Sequence, residues 1–268
     1  MRSLFSILLC AITVSAGVSQ TEYLTVANND DSLVLAALFN AKVIMNPDDS
    51  SLVAIWKPNF AEAQEFNISY DSMCHTVIEE VLDYRSSGKR YSLIVFATYE
   101  YVDSTFSTID CHACAPDISV ALFSTINDSA WEFERMKKHL TRFGAWGKFQ
   151  GADLQKIGDN AYALELTGEN GGQGVWEESI ILYELDSFGE IFFCKTHEDN
   201  SGSGDKNMYD WDKKLRFVPG KNTYNDIILT KKGRGHNPTD NYDSPIVKLT
   251  GKNRYKFSEE ENKYILVK

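Results

Sequence analysis

Positive charge is in short supply in this chain. Across 268 residues, 27 Lys and Arg face 38 Asp and Glu, a formal charge of −11. A polyanion would be repelled by such a surface, so neither nucleic acid nor an anionic membrane is the expected partner; a basic one suits it better. Proline is scarce as well, with six residues and no biased tract, which argues against disorder. No stretch approaches the roughly 18 consecutive apolar residues needed to cross a bilayer as a helix, and no repeat of fixed period is visible.

Catalytic signatures are also missing. There is no Gly-x-Ser-x-Gly elbow and no His-Glu-x-x-His. The glycine-dense run Gly168–Gly174 lacks a Lys-Ser/Thr ending and leads into a strand, so it reads as a hairpin turn and not as a phosphate cradle. His139, His197 and His236 are scattered in polar surroundings. The adjacent acids Glu79-Glu80 and Glu177-Glu178 would diverge from one another on any regular element. Nucleophile, base and oxyanion donors are not assembled, and the sequence favours a protein that is not an enzyme.

What is present begins at the N-terminus. Arg2 precedes the apolar run Leu4–Val14, and small residues follow at Ser15, Ala16, Gly17 and Ser19. This pattern is an export signal over residues 1–19, with cleavage after Ala16 or Ser19. The mature chain is expected to be secreted or periplasmic.

Four cysteines follow the leader: Cys74, Cys111, Cys114 and Cys194. In an oxidising compartment an even number reads as two disulfides, and four cysteines allow three pairings. The short loop between Cys111 and Cys114 makes that bridge the expected one, leaving Cys74 for Cys194. Zinc is the rival reading. Cys74-His75, Cys111-His112-x-Cys114 and Cys194-x-x-His197 place a histidine close to every cysteine, and four converging ligands would hold the ion. A haem attachment fails because Ala115, not His, follows Cys114, and a thioredoxin-like pair lacks the helix that should start at the motif.

A second candidate metal site lies in the acidic stretch Asp199–Asp210. Oxygen-bearing side chains stand at loop positions 1, 3, 5, 7, 9 and 12, with Gly204 at position 6. That spacing resembles an EF-hand calcium loop with Asp199, Asp205 and Asp210 as its acids. Ser201 and Ser203 replace stronger ligands, however, and Asp210 stands where a bidentate Glu belongs.

Periodicity predicts a mainly β protein. A short helix capped by Asp31 or Ser32 is expected, apolar almost all round and therefore buried, and a strand over 52–56. The spacing of Val77, Ile78, Val81, Leu82 and Tyr84 predicts a helix over about 72–87, capped by Asp71 or Ser72 and stopped at Gly88. From Arg90 onward strands dominate: 91–102 with an apolar centre buried on both faces, 118–126, a hairpin over 154–166, and the pair 175–185 and 191–195. The segment 131–143 fits either a strand or a helix. His197–Lys214 and Lys231–Ser244 read as long loops between further strands at 224–230, 246–249, 254–257 and 264–267. The expected organisation is a leader over 1–19, an N-terminal region over 20–89 and a β-rich domain over 90–268. The expected fold is an antiparallel sandwich, or a barrel-like or propeller-like sheet, with one or two helices in the N-terminal third.

The combination of Leu93–Thr98, Cys111-His112-Ala113-Cys114-Ala115-Pro116, Gly144-x-x-Gly147, Ile157-Gly158-x-x-x-Tyr162 and Gly172-Gln173-Gly174 resembles a set of uncharacterised exported bacterial proteins. The resemblance covers about a third of the chain and implies export to a periplasm and a β-rich body. It carries no activity. The functional expectation is a binding or inhibitory protein of unknown partner, protein or small ligand, meeting it through the loops at 167–174 and 197–212. The alternative is an exported enzyme with a thiol-redox or metal-assisted site around Cys111, His112 and Cys114.

Overall fold

The computed structural model describes residues 25–27, 30–69, 71–101, 106, 111, 113–127, 130–204, 208–236 and 245–267. The expected leader at 1–19, His112 and Asp205 lie outside the described residues. The protein is mainly β, built from two antiparallel sheets, one of them curled as a half-barrel.

The first sheet takes its strands from β1 (Thr25–Ala27), β2 (Lys42–Met45), β3 (Leu52–Trp56), β4 (Cys74–Ser86), β5 (Lys89–Glu100), β6 (Asp117–Asn127) and β7 (Ala130–Arg142). Their spatial order is β1-β7-β6-β5-β4-β3-β2. Two helices sit among them, α1 (Asp31–Phe39) and α2 (Phe60–Glu65). Helix α1 starts one residue earlier than the sequence suggests, because the Asp30 carboxylate accepts from Leu33 N at 3.0 Å. Val34, Leu35 and Phe39 are buried, as an all-round apolar helix requires. Helix α2 has a complete capping box, Asn59 and Glu62 each accepting from the other's backbone N–H. That Asn-x-x-Glu pattern was readable in the sequence and was missed.

The expected helix over 72–87 is strand β4, paired with β5 along its whole length. The register slips between Ile78 and Glu80, leaving Glu79 as an extra residue. Such a bulge reverses which residues face which side. Val77 before it and Leu82 and Tyr84 after it therefore pack on one core, while Ile78 packs on the other. An interrupted period of two mimics helical spacing. Gly88 is no helix stop: Ser87 and Gly88, with φ of 50° and 82°, form the two-residue turn between β4 and β5. The division expected at residue 90 thus falls inside this hairpin.

The second sheet is a meander in chain order. It comprises β8 (Ala152–Lys156), β9 (Tyr162–Gly172), β10 (Val175–Glu184), β11 (Glu190–Asp199), β12 (Asp210–Val218), β13 (Asp226–Gly235), β14 (Val247–Ser258) and β15 (Lys263–Leu266). Segment 131–143, ambiguous in sequence, is strand β7. Within the stretch expected as a loop over 197–214, the ends 197–199 and 210–214 belong to strands β11 and β12, with a short 3-10 turn at Ser201–Ser203 between them. The strands expected at 246–249 and 254–257 are one continuous strand, β14.

Three cores stack through the molecule. Leu93 and Val95 of β5 and Val120 and Leu122 of β6 meet Leu164, Leu166, Ile181 and Tyr183 of β9 and β10 between the sheets. On the outer side of the first sheet, Ile94, Phe96 and Phe123 pack under α1 with Trp56 and Phe66. On the far side of the second, Ala163, Ile180 and Leu182 are covered by Ile227, Leu229, Phe257 and Tyr264, which the curl of the sheet brings back over them. Phe192 on β11 stacks edge-on against Tyr264 of β15, with ring centroids 6.0 Å apart.

The β9–β10 turn packs on the Ser201–Ser203 turn, where Gly174 has φ +80° and a Cβ there would collide with the backbone of Gly202 and Ser203. Gly204 has φ +73° with open space around it. Gly174→Ala is expected to cost about 1–3 kcal/mol beyond the roughly 1 kcal/mol of Gly204→Ala, since only the former adds a collision to backbone strain. Equilibrium denaturation of the two variants gives the difference.

Candidate functional site

A concavity of about 860 Å³ opens on strands β11 to β14. Strand register builds it. Lys213 on β12 lies directly opposite Lys231 on β13, and Trp211 opposite Gly233, so these four positions share one face. Gly233 lets the two strands approach closely, since a Cβ there would collide with the Trp211 Cα and Cβ, and Gly235 leaves room for the indole. The Lys231 ammonium lies 3.9 Å from the Trp211 ring centroid and that of Lys213 lies 5.1 Å away, both within cation–π range. Leu229 and Leu249 supply an apolar wall, and Tyr209 and His236 close one end with their rings 5.5 Å apart.

Strand β11 adds a neutralised pair. The register between β10 and β11 passes from Ser179↔Lys195 to Glu178↔His197, leaving Thr196 as an extra residue. This irregularity lets Lys195 and Glu198 share a side, with Lys195 Nζ at 3.2 Å from Glu198 and 2.5 Å from Glu177. Tyr209 also donates its hydroxyl to Glu198 at 2.9 Å. The acids near the cup are thereby committed to Lys195 and Tyr209. Lys213 and Lys231 form no ion pair among the described residues, and the Lys213 ammonium lies 3.7 Å from the Cys194 sulfur. Burial pulls the Lys231 ammonium below the ordinary lysine range, and the neighbouring charges of Lys213 and Lys195 add to that.

The reverse of this wall carries His197, Asp210 and Asp212, whose ligand-type atoms lie within 4.8 Å of one another. His197 Nδ1 is 2.9 Å from Asp212 and 3.9 Å from Asp210. The same register sets Asp210 opposite Arg234 and Asp212 opposite Lys232, so cations already neighbour both carboxylates. The EF-hand expectation does not survive the fold around it. Strands flank the segment, and an EF-hand needs helices. The Asp199 carboxylate accepts from Ser201 N at 2.6 Å and from Ser201 Oγ at 2.9 Å, holding its own turn.

The cysteines are distributed differently from the expected two bridges. Cys111 and Cys114 are joined, with Cα atoms 5.0 Å apart. Cys74 and Cys194 are free and buried, and they belong to different sheets and different cores, so the expected Cys74–Cys194 bridge is not made. The same separation keeps Cys74 and Cys194 from contributing to one zinc site. Burial and the acids Asp117, Glu100 and Glu62 push the Cys74 thiol up to about 12, and burial raises Cys194 as well. Neither is poised as a nucleophile.

Near Cys74, Asp117 is almost fully buried and pairs with Arg142 at 2.6 Å and His139 at 2.7 Å. Burial pushes its carboxyl above the ordinary range, and Arg142 and His139 only partly draw it back. This cluster ties β6 to β7, and Asp117 and Arg142 also line a small cavity of about 150 Å³. No family model, no curated protein and no solved structure matches this chain. The reading of the cup therefore stands on its own residues. Sequence inspection missed it because Trp211, Lys213 and Lys231 lay in segments read as loops, although the alternation Trp211, Lys213, Leu215, Phe217 was available as a strand signal.

Two outcomes follow from the buried groups. Alkylation of denatured, non-reduced protein should label Cys74 and Cys194 and spare Cys111 and Cys114 until reductant is added, as read by peptide mass spectrometry. His75 is 2% exposed, and burial lowers its imidazole to about 4 from an ordinary 6.5. The unfolded chain therefore binds the extra proton between those values. Stability from this group is complete above pH 6.5, falls with pH, and is reduced by about 3 kcal/mol near pH 4. His75→Phe should flatten the pH dependence of unfolding across that window by a comparable amount.

Proposed function

We propose that this protein is an exported binding protein whose ligand site is the cup on β11–β14, and that it takes an anionic ligand with a flat or apolar body. One observation carries the reading: in a chain of net −11, two lysines stand opposite each other on one tryptophan with no carboxylate paired to either among the described residues. Like charges placed directly across a ladder destabilise a sheet, so an anion between them removes a cost the apo protein bears. The volume suits a small molecule, and the mixture of apolar wall and convergent polar groups is that of a ligand site. The loops expected to meet a partner contribute indirectly. Gly174 and the Ser201–Ser203 turn brace each other, and Asn200, buried, accepts from Tyr209 N at 2.6 Å and so holds the end of the cup. Export rests on the residue pattern of the leader.

The test uses 8-anilinonaphthalene-1-sulfonate, an aryl monoanion. Saturable one-to-one binding is expected, weakened roughly tenfold by Lys231→Gln and by Trp211→Ala, as loss of one charge contact or of the apolar floor would give. Absence of saturable binding, or binding unchanged in both variants, overturns the reading.

A further inference from the structure

We infer that the group this cup is built to hold is a phosphoryl dianion, the terminal phosphate of a monoester, seated between Lys213 and Lys231 beside the Trp211 ring. The inference rests on the anion-binding reading above and makes it specific. It begins with counting charge. Among the described residues Lys195, Lys213, Lys231 and Lys248 line the cup, Glu198 stands in its wall and Glu177 also pairs with Lys195, so four cations against two carboxylates leave an excess of two positive charges. Lys195 holds both acids and Lys248 stands opposite Arg234, so the ammoniums that face each other at the Trp211 ring are those of Lys213 and Lys231. A monoanion such as a carboxylate or sulfonate can balance one of these ammoniums and leaves the other facing a like charge. A dianion balances both.

Geometry adds that the dianion is compact. Direct cross-strand partners have Cβ atoms about 5 Å apart, and both ammoniums here converge on the same ring, at 5.1 and 3.9 Å from its centroid. An extended dicarboxylate would have to fold back on itself to reach both, whereas the three terminal oxygens of one tetrahedral phosphorus suit so short a separation. Lysine meets phosphate as a point charge, with no demand for planar, two-pronged contact. No arginine lines the cup, which disfavours a carboxylate-specific fork. The ester body would lie along Leu229 and Leu249, where an apolar or aromatic group is desolvated. Burial and like-charge neighbours depress Lys231, and a bound anion acts in the opposite direction.

Such a phosphoryl group could come from a soluble phosphomonoester or from the headgroup of a phosphatidate lipid; the chemistry recognised is the same. Calorimetry on the purified chain with 1-naphthyl phosphate and 1-naphthalenesulfonate compares dianion and monoanion on one ring. At pH 7.5 the phosphate is expected to bind at least about tenfold more tightly, the difference that a second charge contact makes. Lys213→Gln or Lys231→Gln should bring the two affinities together. Lowering the pH to 5, below the second phosphate ionisation near 6, should erase the preference in the unaltered protein. The groups facing the ligand, His236, Glu198, Lys195, Lys213 and Lys231, are the same for both probes, so the ratio of the two affinities is the readout. Each variant should unfold at a denaturant midpoint no lower than the parent, because it relieves repulsion, and this shows that any affinity loss is local.

Equal affinity for the two probes, lost together in the lysine variants, overturns the dianion inference and leaves the anion-binding cup standing. Binding of neither probe overturns both. Co-sedimentation with phosphatidylcholine vesicles carrying phosphatidate, abolished by Lys213→Gln, identifies the lipid as the source; naphthyl phosphate binding without vesicle capture identifies a soluble monoester.

Discussion

Strands β5, β6, β9 and β10 are buried on both faces, and that constraint shapes everything around them. A strand covered on one side only needs alternate apolar residues, but here neighbouring residues point into different cores. Leu93 and Ile94, Leu122 and Phe123, Ala163 and Leu164, and Ile181 and Leu182 each divide this way. Burying a side chain of this size contributes about 1.5–3 kcal/mol, and such gains are lost for any face left wet. Both outer faces therefore require a lid. Helix α1 supplies one, presenting Val34, Leu35 and Phe39. For the second sheet no helix is available, so the sheet curls and covers itself, bringing Ile227, Leu229, Phe257 and Tyr264 over Ala163, Ile180 and Leu182.

The cup is a consequence of that curl. The face of β12 and β13 that is apolar at Leu215, Phe217, Ile227 and Leu229 continues along the same strands to Lys213, Trp211 and Lys231, beyond the reach of the covering strands. Where apolar coverage ends, the sheet is still concave, and the residues change from core-forming to ligand-type. Strand β11 pairs with β12 only over His197–Asp199, so its remaining length departs from β12. A closed barrel would have filled this space with side chains; an incomplete one leaves a mouth.

Much of the fold was readable because burial on both sides writes a continuous apolar run, as at Leu93–Ala97, and no other element does so at that length with β-branched and aromatic residues. Two kinds of feature were not readable. The bulge at Glu79 exchanged the faces of β4 midway, and a period of two with one slip is arithmetically close to a helical pattern over ten residues. Polar strands were the other. In β12, β13 and the first half of β14, alternate positions carry Lys, Asp and Thr because one side is solvent and the other is a cup, so the hydropathy contrast that announces a strand is flattened. The site went unseen for the same reason. Composition also misled: a net −11 describes the whole chain, and the register of two strands decides where its few unpaired cations meet. Cys74 and Cys194 show the limit of counting. An even number of thiols says nothing about which sheets they are delivered to.

An acidic molecule with a cationic cup must work by close contact and not by attraction at a distance. Beyond a Debye length of about 8 Å in physiological salt, an approaching anion senses little of either sign, and at shorter range the acidic exterior opposes it. Reverse-face residues Asp210 and Asp212 lie one position away from Trp211 on the same strand. Association is therefore not steered, and selectivity has to come from the final contacts, where burial lowers the local dielectric and strengthens each lysine–anion interaction. The same argument assigns a role to the acidic surface. It discourages nonspecific polyanions, which bind through many exposed charges, while leaving a single recessed anion group able to reach the lysines. A surface rich in lysine would lose that discrimination even with an identical cup.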